Sequence, residues 1–147
     1  MNLRRTTHII LTSLARAAHR HGFGVQSPSD YELIRDVLFE PLHYYAYEEQ
    51  GLNTPLERQL FRIQNHFRGH PIEVVKTTIS NEANDQILLF MKAPPPDAIL
   101  VIEHIDDENA ESWDRVVADP KATVTFDMGR RGLATFDPKR IKQNYLL

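Results

Sequence analysis

The sequence predicts an α/β protein in which a helical N-terminal part precedes a small, partly parallel sheet that ends in an antiparallel hairpin. Apolar residues recur at helical spacing through residues 1–70, whereas residues 71–147 alternate short β-branched segments with helical ones. Near the end, two apolar runs flank Gly129-Arg130-Arg131, an arrangement typical of a hairpin turn. The length of 147 residues suits a single domain spanning residues 1–147.

The first two predicted helices are defined by their ends. Residues 3 to 19 form an amphipathic helix that Gly24 helps to terminate. Ser29 then caps a second helix, Glu32 completes a capping box, and Pro41 stops the helix. The buried stripe of this second helix would comprise Tyr31, Ile34, Val37 and Leu38.

The third helix has the clearest start in the chain. Thr54-Pro55-Leu56-Glu57 offers an N-cap hydroxyl, a proline in the first turn and a reciprocal Glu, and Gly69 closes the helix. A tyrosine-rich linker precedes it. The part up to residue 70 is therefore expected to be all helical.

The sequence of the second half of the chain predicts four strands. Ile72–Thr78 is a short β-branched strand, and a helix from Ser80 or Asn81 leads to the next strand, Ala98–Ile105. The first half of the latter strand is apolar on both faces, which favours a central parallel strand covered by helices on both sides. A helix over 110–118 follows, then the hairpin strands 122–128 and 132–136 and a short terminal helix after Asp137-Pro138. The first strand would form an exposed edge that invites pairing with another chain, so we expect a homodimer.

Composition excludes several functional classes. The absence of cysteine excludes disulfides, thiolate metal sites and a cysteine nucleophile. The longest apolar runs are too short to span a bilayer, and a net charge of −3 argues against a general attraction to nucleic acid. We therefore expect a cytoplasmic protein without membrane or nucleic-acid partners. The basic stretch of Arg4, Arg5, Arg16 and Arg20 is interpreted as a solvated helix face, with an anion-binding arm as the alternative.

Several short peptides resemble a bacterial family of class I S-adenosylmethionine-dependent methyltransferases, of the O-methyltransferase-like kind. They are Gly24-Val25-Gln26-Ser27-Pro28, Tyr44-Tyr45-Ala46-Tyr47-Glu48-Glu49, Ala98-Ile99-Leu100-Val101-Ile102, Ala122-Thr123-Val124-Thr125-Phe126-Asp127 and Gly132-Leu133-Ala134-Thr135-Phe136. The resemblance implies a helical extension followed by the end of a Rossmann-like methyltransferase sheet, in a truncated form: a parallel strand, a helix and a reversed hairpin.

The cofactor-binding motif of that family has no counterpart here. Where relatives carry a Gly-containing turn after a strand, this chain has Lys76-Thr77-Thr78-Ile79-Ser80, which contains no glycine. An alternative alignment treats Ile72–Thr78 as the strand just before the last parallel one. Under either alignment the resemblance implies that no residue binds the cofactor.

The best chemical cluster is Glu103-His104 with Asp106 and Asp107 close behind. It follows a predicted parallel strand, where open α/β sheets place their ligands. Glu103, His104 and Asp106 are candidates for a substrate or metal site, since carboxylate and imidazole suit Mg, Mn or Zn. The competing interpretation is an acidic loop that caps the next helix, and we assign neither a metal ligand nor a catalytic residue.

Three further groups are weaker candidates. Tyr44, Tyr45 and Tyr47 could line a pocket for a planar ligand, as the similar segment does over a methyltransferase site, or could pack against the sheet edge. His19 and His21 could bind a metal or phosphate, or be cations at a helix end. Arg130-Arg131 could contact an anion, although a solvated turn is the preferred interpretation.

These observations favour a degenerate methyltransferase-like protein with a scaffold, dimerisation or regulatory role, whose partner would be a second copy or a full-length relative. The alternative is a residual enzyme that uses S-adenosylmethionine to methylate a small molecule through an altered or dimer-completed site.

Overall fold

The computed structural model describes Leu14, Arg16, Ala17, Arg20 and residues 24–147, and the first four of these have helical backbone conformation. The rest of the predicted first helix, with Arg4, Arg5, His19 and His21, lies outside the described residues. The chain divides into two compact units, Met1–Arg68 and Gly69–Leu147. This boundary is close to residue 70, where the sequence predicts the change from helices to sheet.

The N-terminal unit is helical, as predicted, but its first fully described helix differs from the expected one. Helix α1 (Pro28–Glu32) continues directly as a π-helical segment, Leu33–Leu38. Ser27, and not Ser29, is the N-cap: its hydroxyl accepts a hydrogen bond from the Asp30 N–H, with proline at the first helical position. Because the wider π-turn rotates the face, Leu33 joins the buried stripe and Tyr31 is exposed.

Helix α2 (Tyr45–Glu49) occupies part of the predicted linker, and helix α3 (Pro55–His66) begins as its sequence predicts. The Thr54 hydroxyl accepts from the Glu57 N–H, while the Glu57 carboxylate accepts from the N–H groups of Thr54 and Asn53. These bonds, that of Thr54 foremost, lower the pKa of the Glu57 carboxyl. The capping box therefore satisfies the donors that open helix α3.

The C-terminal unit is a five-stranded mixed sheet with two helices. Its strands are β1 (Ile72–Val75), β2 (Ile99–Glu103), β3 (Val124–Asp127), β4 (Arg131–Thr135) and β5 (Gln143–Leu146), in the order β1-β2-β4-β3-β5. Strands β1 and β2 are parallel, β2–β4 and β4–β3 are antiparallel, and β3 and β5 are parallel. The predicted α/β class and the hairpin are confirmed, and β2 is an interior strand, flanked by β1 and β4.

Two helices pack on one face of this sheet. Helix α4 (Ser80–Lys92) joins β1 to β2, and helix α5 (Ala110–Ala118) joins β2 to β3. Their inward side chains meet alternate residues of the strands in one apolar cluster. The fully buried or nearly buried members include Val75, Ala83, Ile87, Leu100, Ile102, Trp113, Val116, Ala134 and Phe136. Among these, Trp113 and Val116 are the inward residues of α5.

The end of the chain contradicts the sequence prediction. Instead of a short helix after Asp137-Pro138, the chain extends as β5 alongside β3. The Tyr145 ring stacks on Phe126 at 5.3 Å, and the Leu147 N–H donates to the Asp127 carbonyl at 2.7 Å. Burial of Tyr145 together with backbone pairing outweighs the local helix-start signal of Asp-Pro.

Within the described part of the chain, none of the helices has the length and apolar character needed to cross a membrane.

Candidate functional site

The carboxyl end of β2 holds an ion pair between neighbouring strands. Glu103 lies directly opposite Arg131 of β4 in the antiparallel register. The Arg131 Nε and Nη2 atoms both donate to the Glu103 Oε1 atom, at 2.9 and 2.6 Å. The Arg131 side chain is 3% exposed and the Glu103 side chain 12% exposed. The Glu103 carboxylate is therefore committed to a buried arginine, and Arg131 does not lie in a solvated turn as the sequence interpretation supposed.

His104 follows β2 in a left-handed conformation. Its φ is +58°, the only positive value of a non-glycine residue within the described ranges. This backbone conformation costs a side-chain-bearing residue about 1 kcal/mol or more. The His104 carbonyl accepts from the N–H groups of both Asp107 and Asn109, which closes a tight loop. His104 Nδ1 lies 3.9 Å from a Glu108 carboxylate oxygen, so the ring faces its own loop.

Asp106 and Asp107 belong to this loop, and both are exposed. The Asp106 carboxylate lies 3.9 Å from Arg130 Nε, a surface pairing of small energetic weight. Across the described residues, His, Asp and Glu side chains nowhere form a group of three suited to a metal ion. The structure thus brings Glu103, His104 and Asp106 to one end of the sheet but gives each a different partner.

Asn109 ties the two parallel strands together at this same end. It is fully buried, and its side-chain N–H₂ donates to the Thr77 carbonyl after β1, at 3.0 Å, and to the Glu103 carbonyl, at 2.9 Å. Its Oδ1 atom has no hydrogen-bond partner within the described structure. The Ser80 hydroxyl adds a third bond, to the Glu108 carbonyl at 3.1 Å. The crevice between the strand ends is thus bridged by side chains.

In the N-terminal unit, Tyr47 is a core residue and not a pocket residue. It is 2% exposed, and its ring makes edge contacts with those of His43, Tyr44 and Phe61, at centroid distances of 5.5, 5.5 and 5.9 Å. Its hydroxyl accepts from Arg62 Nη1 at 3.1 Å. Arg62 also donates to the carbonyls of the π-helical segment, so the cluster holds the unit's helices together.

Tyr44 and Tyr45 have different surroundings. Tyr44 lines a cavity of about 350 Å³ in the N-terminal unit, together with Asp36, Phe61 and Arg62, whereas Tyr45 is 79% exposed. Partial desolvation and the nearby Glu40 carboxylate raise the pKa of the Tyr44 phenol. Of the three tyrosines, Tyr44 is thus the one that agrees with the pocket-lining interpretation. In the same unit Arg20, from the basic N-terminal stretch, lies 5.0 Å from the centroid of the Phe39 ring.

Sequence reasoning named Arg131 only as a weak anion-binding candidate in a turn, and it missed Asn109. The signal for Arg131 was a charged residue next to a hairpin turn, and only the register shows that it faces Glu103. Asn109 had a weaker signal, since an Asn before a helix is normally a cap. Its side chain makes no cap hydrogen bond to α5 and instead reaches to β1 and β2.

Comparisons of the chain with protein-family models, with curated proteins and with solved structures gave no match.

Proposed function

We propose that the chain is a non-catalytic, methyltransferase-like scaffold protein of the cytoplasm, which pairs with a second copy of itself along β1. The observation that carries this proposal is the position of β1: among the described residues it has a strand neighbour, β2, on one side only. An edge strand presents unpaired backbone groups to any chain that can lie beside it.

The order of the strands supports the methyltransferase-like part of the proposal. The resemblance implies a parallel strand, a helix and a reversed hairpin, and β2, α5 and the β3–β4 hairpin have this sequence of elements. Direct parallel pairing of β1 with β2 favours the alignment in which β1 is the strand just before the last parallel one. The open side of β1 then corresponds to the side on which the cofactor-binding strands of the family continue.

The residues at the strand ends support the non-catalytic part. A nucleoside cofactor needs close backbone approach after a strand, normally through glycine. If β1 were the strand that carries this turn, the segment after it would still lack the glycine, and the Thr77 carbonyl is engaged by Asn109. Under the favoured alignment, the cofactor-binding strands of the family have no counterpart in the described sheet, which ends at β1. Glu103 is engaged by Arg131. These residues do not fit S-adenosylmethionine at this end of the sheet, so no step of methyl transfer is derived.

The backbone of β1 defines which of its groups face outward. The Ile99 N–H donates to the Pro71 carbonyl at 2.8 Å. Since hydrogen bonding alternates along a parallel strand, Pro71, Glu73 and Val75 bond to β2, while Ile72 and Val74 direct their backbone N–H and carbonyl groups away from it. Removing the Val74 backbone N–H therefore tests whether another strand pairs with the open edge of β1.

We expect the wild-type chain to have a mass in solution of twice 17.0 kDa, and Val74→Pro to be monomeric. Proline removes the outward N–H that a neighbouring strand would use, yet leaves the bonds to β2 in place, as on edge strands generally. Light scattering coupled to size-exclusion chromatography measures both masses.

Val74→Ala is the matched control, because it shortens the same side chain and keeps the N–H. It should remain dimeric, and circular dichroism should show both variants folded. A monomeric wild-type chain, or a dimer that survives Val74→Pro, would contradict pairing along β1.

Titration with S-adenosylmethionine and S-adenosylhomocysteine tests the competing enzymatic function. We expect no saturable change in the melting temperature up to millimolar ligand. A bound ligand at about 100 times its dissociation constant would stabilise the native state by about 2.7 kcal/mol, a melting shift on the order of 5 °C or more. A saturable shift of that size would overturn the non-catalytic interpretation and favour a residual methyltransferase.

A further inference from the structure

The C-terminal unit has a cavity of about 530 Å³ at the end of the sheet opposite to His104. It is formed by the segments that follow α4, α5 and β4, where β2 and β3 begin and β4 ends. The three strands meet at this end: Thr135, the last residue of β4, lies opposite Ile99 of β2 and Val124 of β3 in the sheet register. We name this cavity the basic cleft. Because it lies at the other end of the sheet, it is separate from the Glu103 and Asn109 contacts.

The charge of the basic cleft is of one sign. Four cationic side chains line it, Lys92, Lys121, Arg140 and Lys142, and no Asp or Glu is among its lining residues. Clefts lined by charges of one sign concentrate ligands of the opposite sign. The whole chain carries a formal charge of −3, so this local excess is a property of the cleft and not of the composition.

Two of these ammonium groups are held in place by backbone carbonyls. Lys121 Nζ donates to the carbonyls of Met91 and Lys92 at the end of α4, at 2.9 and 3.4 Å. Lys142 Nζ donates to the carbonyl of Asp119, the C-cap of α5, at 2.8 Å, and to that of Ala122. An ammonium group has three N–H donors, so each lysine keeps one beyond these two bonds.

The charge of Lys142 is only partly offset by its surroundings. Burial lowers the pKa of the Lys142 ammonium below its ordinary value, and the Asp119 carboxylate offsets this only in part. The carbonyls at the ends of α4 and α5 supply partial negative charge but no full counter-charge. An anion within the cleft would supply that counter-charge, and it would do so beside amines whose positions are already fixed.

Apart from Thr123, the remaining lining of the basic cleft is apolar. Four prolines and Phe136 contribute to it, and the Phe136 ring is itself fixed by an edge contact with Phe90, at a centroid distance of 5.4 Å. Pockets of this size that combine apolar walls with a few polar groups suit small organic ligands. A bare inorganic ion would leave most of the volume unused.

We propose that the basic cleft binds a small organic anion, whose phosphate or carboxylate groups meet the lysines and Arg140 and whose apolar part packs against Phe136 and the prolines. This site goes beyond the proposed scaffold function and does not depend on pairing along β1.

The test is a titration of the isotope-labelled chain, followed by amide NMR shifts, with phenyl phosphate, isophthalate, inorganic phosphate and phenol. We expect phenyl phosphate or isophthalate, at up to about 10 mM, to shift amides around Thr123 and Phe136 in a saturable way. Inorganic phosphate and phenol should each bind more weakly by about tenfold, because each lacks one half of the recognised chemistry. Signals from the two organic anions distinguish a phosphate ligand from a carboxylate ligand.

The double variant Lys92→Gln with Arg140→Gln should raise the dissociation constant by about tenfold or more. These residues are preferred to Lys121 and Lys142, whose bonds to helix-end carbonyls contribute to folding. Lys76→Gln with Lys139→Gln is the matched control, since it removes the same charge from exposed residues that do not line the cleft. The proposal is overturned by shifts scattered over the surface, by equal weakening in both double variants, or by no saturable response to either organic anion.

Discussion

Replacing Arg131 by methionine is expected to lower the free energy of unfolding by about 3 to 5 kcal/mol. Arg131 is 3% exposed, and two of its nitrogen atoms bind the Glu103 carboxylate between adjacent strands. Methionine fills much of the same volume but leaves the mostly buried Glu103 carboxylate without its counter-charge. Denaturant unfolding monitored by circular dichroism measures the loss.

Two controls identify the ion pair as the cause. Arg130→Met changes the neighbouring arginine, whose side chain is 61% exposed, and should alter stability by about 0.5 kcal/mol or less. Adding Glu103→Leu to Arg131→Met removes both charges and should recover most of the lost stability. If Arg131→Met costs no more than Arg130→Met, the Glu103 carboxylate does not need this partner, and its availability for chemistry has to be reconsidered.

Gly132→Ala is expected to destabilise the C-terminal unit by about 3 kcal/mol. A Cβ atom at Gly132 would lie 2.6 Å from Trp113 Cζ3 and 2.7 Å from Cε3 and Cη2, far inside van der Waals contact. Trp113 is 3% exposed and packed within the cluster between the sheet and helices, so its ring has no space to withdraw. The melting temperature should fall by about 10 °C.

A double-mutant cycle tests whether the Trp113 ring is the obstacle. Trp113→Leu removes the three atoms concerned, so Gly132→Ala should cost much less in that background than in the wild type. Additive effects of the two substitutions would show that the loss arises from the backbone of β4 and not from the contact.

The parts of the fold that the sequence predicts best are those encoded locally. Thr54-Pro55-Leu56-Glu57 carries its helix start in four consecutive residues, and α3 begins there. The apolar run of β2, residues 99–102, lies inside the sheet, between β1 and β4, as such a run needs. Gly129 and Arg130 likewise fall between β3 and β4, and Arg131 opens β4. In each case one short segment contains the whole signal.

The sequence-based predictions are wrong where contacts with distant residues determine the local conformation. A terminal helix after Asp137 agrees with local signals, but Tyr145 gains more by stacking on Phe126 and adding a fifth strand. The π-helical turn at 33–38 has no local signature, and its late carbonyls are bound by Gln59 and Arg62 of α3. Tertiary contacts of this kind override propensity.

The candidate site shows the same division. Its place at the end of β2 follows from the order of predicted elements, and Glu103, His104 and Asp106 all lie there. The contacts that each of these side chains makes depend on the register between neighbouring strands. Because β4 places Arg131 opposite Glu103, a side chain that looks reactive in sequence becomes one half of an internal ion pair.

The strand order also governs when the sheet can assemble. Strand β2 lies between β1 and β4, so its second neighbour is complete only after Thr135 has left the ribosome. The β3–β4 hairpin, whose strands are separated by three residues, closes on the microsecond scale and provides a template for β2. Until that docking occurs, the apolar run of β2 is exposed on the nascent chain, and this interval is when the protein is most prone to aggregate.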